Sequence, residues 1–316
     1  QPAPSPPPST TSVAQRYGLR SARWERWRPV PRHNLGMPEL PEVETVRRTL
    51  EPLVVGRTFT HVVFDWPGCD AQINGHPLDQ SLPGARCIGV GRRGKYLLLH
   101  LDGDRTLVVH LRMTGRLVVV DSGAQTPPHH RAWLAMDDGR AISYADQRKF
   151  GRLALAPDTA SLAHLLRRVG PEPFAQETDP DHHFGVAYLE RVLVGRKAAV
   201  KAILLDQRVV AGLGNIYVDE ALFLARVHPA TPGSLVGHEA ARRIAEAVVV
   251  VLTEAIENGG TTLADYRDAR GERGSHQNRL QVFRRQGKPC LRCGTTIQKS
   301  VVAQRGTHAC PTCQPL

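Results

Sequence analysis

Four cysteines crowd the end of the chain at a spacing that suits a metal: Cys290-x2-Cys293, sixteen residues, then Cys310-x2-Cys313. Two short knuckles of this kind place four thiolates tetrahedrally around one Zn2+. Sulfur takes every coordination position, so the zinc is structural, and it supplies the folding free energy of a segment too small to hold an apolar core. Two disulfides are the competing reading, but six cysteines in 316 residues are too few for a distributed framework. A reducing compartment is expected, with Cys69 and Cys87 as plain buried thiols. Reactive chemistry must therefore lie elsewhere, and Met37-Pro38-Glu39-Leu40-Pro41-Glu42-Val43-Glu44 offers it. Removal of Met37 would leave Pro38 with a free secondary amine. Such an amine attacks an aldehyde-like sugar carbon to give an iminium ion that cannot be neutralised by losing a proton from nitrogen. Glu39 adjoins it as a proton shuttle. The plainer reading of the same stretch is a capped helix, whose dipole Glu39, Glu42 and Glu44 complement and whose first turn accommodates Pro41.

Two kinds of element have to position these groups. From Tyr96 to Pro157, short β-type runs alternate with turn signals: 96–101, 106–113, 116–120, 131–136 and 141–145, with Asp102-Gly103 and Asp138-Gly139 between some of them. That spacing predicts a sandwich or barrel. After Ser161 the period turns helical, over 161–169, 186–194, 197–205, 215–226 and about 238–258, the last stopped by Gly259-Gly260. Pro171, Pro173 and Pro180 mark a stiff join. Gly212 and Gly214 allow tight bends just before Asn215, where a helix starts with its free N–H groups outward. Between the knuckles, Gln304-Arg305-Gly306-Thr307 suits a turn tip that pushes Arg305 out, as a phosphate reader or merely a solvated arginine.

Composition narrows the partners. Forty-one Lys+Arg against 30 Asp+Glu give +11 and an isoelectric point near 9.8, which favours a polyanion. The longest wholly apolar run, Ala247 to Leu252, is far short of the ~18 residues that cross a bilayer, so no membrane role is expected. Residues 1–36 stand apart, with seven prolines and six arginines against one acid, Glu25. They read as a disordered tail or the product of a mis-called start; an organellar transit peptide is the other possibility. The remaining residues still carry +6, the +11 less the +5 of that tail.

The segment at Met37–Glu44 resembles the amino terminus of the formamidopyrimidine-DNA glycosylase family. The resemblance extends over nearly all of residues 37–316 through Arg93-Gly94-Lys95-Tyr96-Leu97, His110-Leu111-Arg112-Met113-Thr114-Gly115, Asp146-Gln147-Arg148-Lys149-Phe150-Gly151, Gly170-Pro171-Glu172-Pro173, Leu205-Asp206-Gln207, Gly212-Leu213-Gly214-Asn215-Ile216-Tyr217, Gly259-Gly260-Thr261-Thr262 and the four-cysteine finger. It implies an α+β architecture: an N-terminal catalytic β-sandwich (37–168), a linker (169–183), a helical helix-two-turn-helix domain (184–276) and a zinc finger (277–316). It also implies a bifunctional DNA glycosylase and abasic-site lyase of base excision repair, removing oxidised purines and cutting the strand by β,δ-elimination.

Pro38 would be the Schiff-base nucleophile, Glu39 the acid, Lys95 the lysine of the β-elimination and Arg305 the arginine of the δ-elimination. Met113, Arg148 and Phe150 would fill the void left by an extruded nucleotide. His130, Lys149, Lys197 and Asn215, and more weakly His110, would hold phosphates, with the register between His129 and His130 left open. The stretch Tyr266 to Asn278 resembles the family's mobile loop over the flipped lesion. The expected partner is damaged double-stranded DNA, the cofactor one structural Zn2+, the state a monomer, and the setting bacterial cytoplasm with the nucleoid. Leu40 resembles the 8-oxoguanine branch; an endonuclease VIII-like enzyme for oxidised pyrimidines is the first alternative. A non-catalytic lesion binder is the second, because a retained extension makes the Pro38 nitrogen an amide. Gln147 departs from the proline common in the family.

Overall fold

The structure, a computed structural model, describes residues 37–72, 75, 77–121, 123–174, 184–264 and 266–316. The expected tail at 1–36 and most of the expected linker, including Pro180, lie outside the described residues. Chain order begins with helix α1 (Leu40–Val54), strand β1 (Phe59–Phe64) and the short helix α2 (Leu78–Ser81). Seven strands follow: β2 (Cys87–Arg93), β3 (Tyr96–Leu101), β4 (Thr106–His110), β5 (Gly115–Asp121), β6 (His130–Met136), β7 (Arg140–Asp146) and β8 (Arg152–Ala156). They form two four-stranded antiparallel sheets, ordered β1-β6-β7-β5 and β2-β3-β4-β8. Side chains from both inner faces, among them Phe59, Leu97, Leu99, Leu107, Leu117, Leu134, Ile142 and Leu155, close one apolar core with Val43, Val46 and Leu50 of α1. Burial of this kind contributes roughly 1.5–3 kcal/mol per large side chain, so the sandwich is held by its core.

The chain then runs through α3 (Thr159–Leu166), α4 (Val186–Leu193), α5 (Val200–Leu205), α6 (Asn215–Leu224) and the long α7 (His238–Glu257). Their apolar faces meet in a second core around Leu204, Tyr217, Leu222, Ile244 and Val248. The hairpin β9 (Gln298–Val302) and β10 (Arg305–Ala309) completes the chain. Phe223, Val282, Cys290, Ile297 and Cys310 form a small third cluster, which seats the hairpin on α6.

The fold departs from the sequence reading in places that matter. The run at 106–113 is a strand only to His110; residues 111–114 turn, with Arg112 at φ 54°. The helix expected from Lys197 begins at Val200, and Lys197 itself is exposed. β1, β2 and β8 had no counterpart in the sequence reading. Within the stretch expected to close over a lesion, one residue is anchored on the sandwich. Ala269 is buried in the sandwich core, its carbonyl accepts from Val119 N and its N–H donates to Thr49 Oγ1.

Candidate active site

Helix α1 starts the site. Glu39 is its N-cap, and the Glu39 N–H donates to Glu42 Oε2 at 2.8 Å, one arm of a capping box. The Glu39 side chain also reaches the N-terminus of α6, where Ile216 N donates to Oε1 at 2.9 Å and Tyr217 N to Oε2 at 3.4 Å. The free amides and dipole of a helix N-terminus suit a carboxylate. Gly214 makes the approach possible, because a Cβ there would sit 2.3 Å from Glu39 Cδ. Leu40 N donates to Gly212 O, so the bend between α5 and α6 is pinned to the first turn of α1. The two-turn element thereby holds the acid on the sandwich.

Burial pushes the Glu39 carboxyl above the usual carboxylate range, against the pull of Lys95 and of the backbone N–H groups of Ile216, Tyr217 and Gly214. Glu42, equally enclosed, is raised to about 7 by burial and by the neighbouring Glu39, although Thr261 N and the Tyr217 hydroxyl donate to it. Lys95, 6 % exposed, has its ammonium lowered by burial, while Glu39 and Glu42 oppose the shift and Arg305 adds to it. Glu39, Lys95 and Arg305 therefore share one electrostatic neighbourhood, although Arg305 comes from the far end of the chain. Lys95 is aimed by a clamp the sequence did not single out. Glu172 Oε1 accepts from Gly94 N at 2.6 Å, and Arg92 and Arg93 both pair with the same carboxylate. The quoted Gly-Pro-Glu-Pro block contained Glu172, but nothing in it indicated a partner 78 residues away.

A small open pocket lies beside these groups, lined by Pro38, Glu42, Met113, Ile216, Leu263 and Tyr266, with Met37 also on its wall. At its rim Met113, Arg148 and Phe150 converge from two different turns: Arg148 Nη1 donates to Met113 Sδ at 2.9 Å, and its guanidinium lies 4.8 Å from the Phe150 ring centroid. Phe150 is 49 % exposed, a large aromatic facing solvent.

Arg305 opens β10, exposed, and the hairpin behind it is anchored in α5 and α6. Lys201, fully buried, pairs with Asp219 at 2.6 Å and donates to Gly306 O and Thr307 Oγ1; Asn215 Nδ2 also donates to Gly306 O. Asp219 in turn accepts from His308 N. Asn215 thus joins the helix start to the finger tip. The four cysteines of the finger gather as the sequence required, with every pair of sulfurs within 4.8 Å. Cys290–Cys313 and Cys293–Cys310 stand at 4.0 and 3.5 Å, against about 3.8 Å for a tetrahedron of ~2.3 Å zinc–sulfur bonds. Arg292 N and Cys313 N donate to the Cys290 and Cys310 sulfurs, as thiolate ligands require. The donor set fits zinc and none of the cysteines is paired in a disulfide.

The phosphate candidates divide. Lys149 is exposed at φ 61°, with its ammonium 5.4 Å from the Trp66 ring centroid. His110 is pushed down to about 3, chiefly by burial; its Nδ1 accepts from Arg112 N, which leaves a neutral ring whose Nε2 is the donor. His130 is the more enclosed of the two adjacent histidines, and its buried Nε2 has no hydrogen-bond partner. Its side chain is 2 % exposed, its Nδ1 is held by Asp65 at 2.8 Å and its ring packs on Trp133, while the neighbouring His129 is half-buried.

The comparisons with known proteins agree with this geometry. Residues 37–153 match the formamidopyrimidine-DNA glycosylase N-terminal domain, 169–267 the formamidopyrimidine-DNA glycosylase H2TH domain, and 287–316 the zinc finger found in FPG and IleRS. Together they define a DNA glycosylase of base excision repair, the class in which abasic-site lyase activity is characteristic. The chain belongs to the formamidopyrimidine-DNA glycosylase family. The enzyme of that name from Chloroflexus aurantiacus is 46 % identical over 281 residues, spanning 88 % of this chain and 98 % of its own. That from Symbiobacterium thermophilum is 47 % identical, over 89 % and 90 %. Among solved structures, Lactococcus lactis Fpg in complex with DNA containing an abasic site superposes with a TM-score of 0.81 at 36 % identity, covering 88 % of this chain and all of that one. Thermus thermophilus MutM gives 0.77 at 44 %, over 88 % and 98 %.

Proposed function

We propose that this glycosylase removes oxidised purines, 8-oxoguanine and formamidopyrimidines, from duplex DNA through an amine at Pro38 and then cuts the strand by β,δ-elimination. The carrying observation is the buried Glu39 carboxyl, raised in pKa and seated between Lys95 and the start of α6. The Pro38 nitrogen, freed of Met37, attacks C1′ with its lone pair; the bond to the base breaks, and the base leaves with the electron pair and the proton that the Pro38 nitrogen sheds. Glu39 gives its proton to the sugar ring oxygen as the C1′–O4′ bond opens, and C1′ is left doubly bonded to a positively charged nitrogen. A carboxylic acid does this near neutral pH only when burial keeps it protonated. Loss of a C2′ proton expels the 3′ phosphate, with Lys95 as the nearby amine. Loss of a C4′ proton then expels the 5′ phosphate, whose departing charge Arg305 stabilises.

Cys290, Cys293, Cys310 and Cys313 would hold one zinc ion, whose chemistry is confined to folding the finger that carries Arg305. Met113, Arg148 and Phe150 would occupy the space vacated in the duplex, and Lys149, Lys197, Asn215, His110 and one of the pair His129 and His130 would meet phosphates. The domain limits given above then assign base excision and the first cut to 37–168, duplex binding to 184–276 and the second cut to the finger. A single chain carries all of these groups, so the enzyme works as a monomer, and its bacterial relatives support a place in the cytoplasm on the nucleoid. No helix among the described residues is long and apolar enough to cross a membrane. Matched duplexes bearing 8-oxoguanine or thymine glycol test the lesion class. Faster excision of 8-oxoguanine is expected, and a preference for thymine glycol would move the enzyme to the oxidised-pyrimidine branch.

A further inference from the structure

Two turns cross between the sheets at the same end of the sandwich. β4 and β8 are neighbours in one sheet and finish at the pair His110↔Arg152; β5 and β7 are neighbours in the other and meet at Gly115↔Asp146. The turn at 111–114 therefore runs beside the turn at 147–151. The first carries Met113, the second Arg148 and Phe150. We propose that Asp146 is a positioning residue that locks the two turns together, so that these three side chains enter DNA as one preassembled wedge.

The carboxylate of Asp146 is buried and accepts four hydrogen bonds, two at each oxygen. Oδ1 receives the Thr114 hydroxyl and Arg148 N at 3.2 Å; Oδ2 receives the Tyr144 hydroxyl at 3.2 Å and Gly151 N at 2.8 Å. Thr114 stitches the turns a second time, because its oxygen also accepts from Arg148 N at 3.0 Å. Three of the four donors, Thr114, Arg148 and Gly151, lie on the two turns, and the fourth, Tyr144, on the strand that leads into the second. An ionised carboxylate, with two lone pairs on each oxygen and no proton of its own, satisfies all four donors, whereas an asparagine would turn an N–H toward two of them. The turns need such a hold. Arg112 and Lys149 both lie in the left-handed region, at φ 54° and 61°, which non-glycine residues keep only when their surroundings over-determine it. Gly151 completes the fit, since a Cβ there would stand 1.9 Å from the Tyr144 hydroxyl oxygen.

The inference rests on the void-filling reading of Met113, Arg148 and Phe150, and a ratio of two activities tests both. Lesion excision from a duplex needs the wedge; borohydride trapping on a single-stranded abasic oligonucleotide, which has no stack to hold open, does not. For Asp146→Asn and Thr114→Val the ratio of the first to the second should fall at least tenfold, and Thr114→Ser, which keeps the hydroxyl, should stay near the parent value. If Asp146→Asn fails to fold, the two Thr114 variants carry the test alone. A ratio unchanged in Thr114→Val while Met113→Ala lowers it overturns the clasp and leaves the wedge standing. A Met113→Ala variant that also keeps the parent ratio removes the wedge reading itself.

Discussion

The placement of Glu39 decides the chemistry at the level of single residues. A buried general acid contributes about 10²–10⁴-fold, so Glu39→Gln should slow base excision at least 100-fold in single-turnover assays, and a drop below tenfold would remove Glu39 from that role. Because burial raises its pKa, excision should persist to higher pH than an ordinary carboxylic acid allows and fail as the carboxyl ionises. Glu42 gives a stability signature of definite sign. Its pKa rises from 4.5 to about 7 on folding, so between those values the folded state keeps a proton that the unfolded state has released. That contribution to stability is present below pH 4.5 and is lost as pH rises toward 7. Urea midpoints for Glu42→Gln should accordingly lose part of the parent's decline over this range; parallel curves would contradict the assignment. Pro38, Glu39, Lys95 and Arg305 could be proposed from the sequence because each sits in an ordered motif, and the fold brings Glu39, Lys95 and Arg305 within electrostatic reach of one another. Glu172 and Asp146 stood in quoted motifs without a role, and Glu42 only as a helix-dipole carboxylate, since their contacts with Gly94, Gly151 and Thr261 exist only in the fold.

Elements deliver these side chains through a few close approaches. Gly214→Ala should push Glu39 off the α6 N-terminus, a cost read as lost excision with DNA binding retained; unchanged excision would mean that the helix start does not hold the acid. The finger acts through its fold. Removing zinc, or Cys290→Ser, takes away most of the ~10–16 kcal/mol that a structural site supplies to such a segment, and should stop the second cut while the first continues. Gel analysis of product ends reads this directly, and intact β,δ-elimination after metal removal would contradict it. The helical half was legible because its 3.6 period is strong. Strand β2 was not, since Gly89 and Gly91 read as turn residues; in the fold, a Cβ at Gly91 would meet His100 Nε2 at 2.8 Å, so glycine lets the strand pass. β8 carries the helix-favouring run Leu153-Ala154-Leu155-Ala156 and becomes a strand only by pairing with β4. The turn after His110 was hidden because a left-handed Arg112 has no sequence signal.

For the molecule as a whole, charge and accessibility of the amine set the behaviour. The basic body should bind DNA with a steep salt dependence, and Lys197→Ala, at an exposed position, should reduce the slope of log K against log salt by about one without changing lesion preference. An unaltered slope would take Lys197 off the phosphate path. The +11 charge pointed toward a polyanion but fitted a merely solvated basic surface equally well, and it gave no sign that Arg305 comes within electrostatic reach of Lys95 or that Asn215 ties to the finger tip. The most direct measurement compares the full 316-residue chain with the polypeptide that begins at Pro38, each mixed with abasic duplex and sodium borohydride. A covalent protein–DNA adduct from the shorter form and none from the longer is the predicted result. Equal trapping by both, or by neither, would contradict the assignment of the Pro38 nitrogen as the nucleophile.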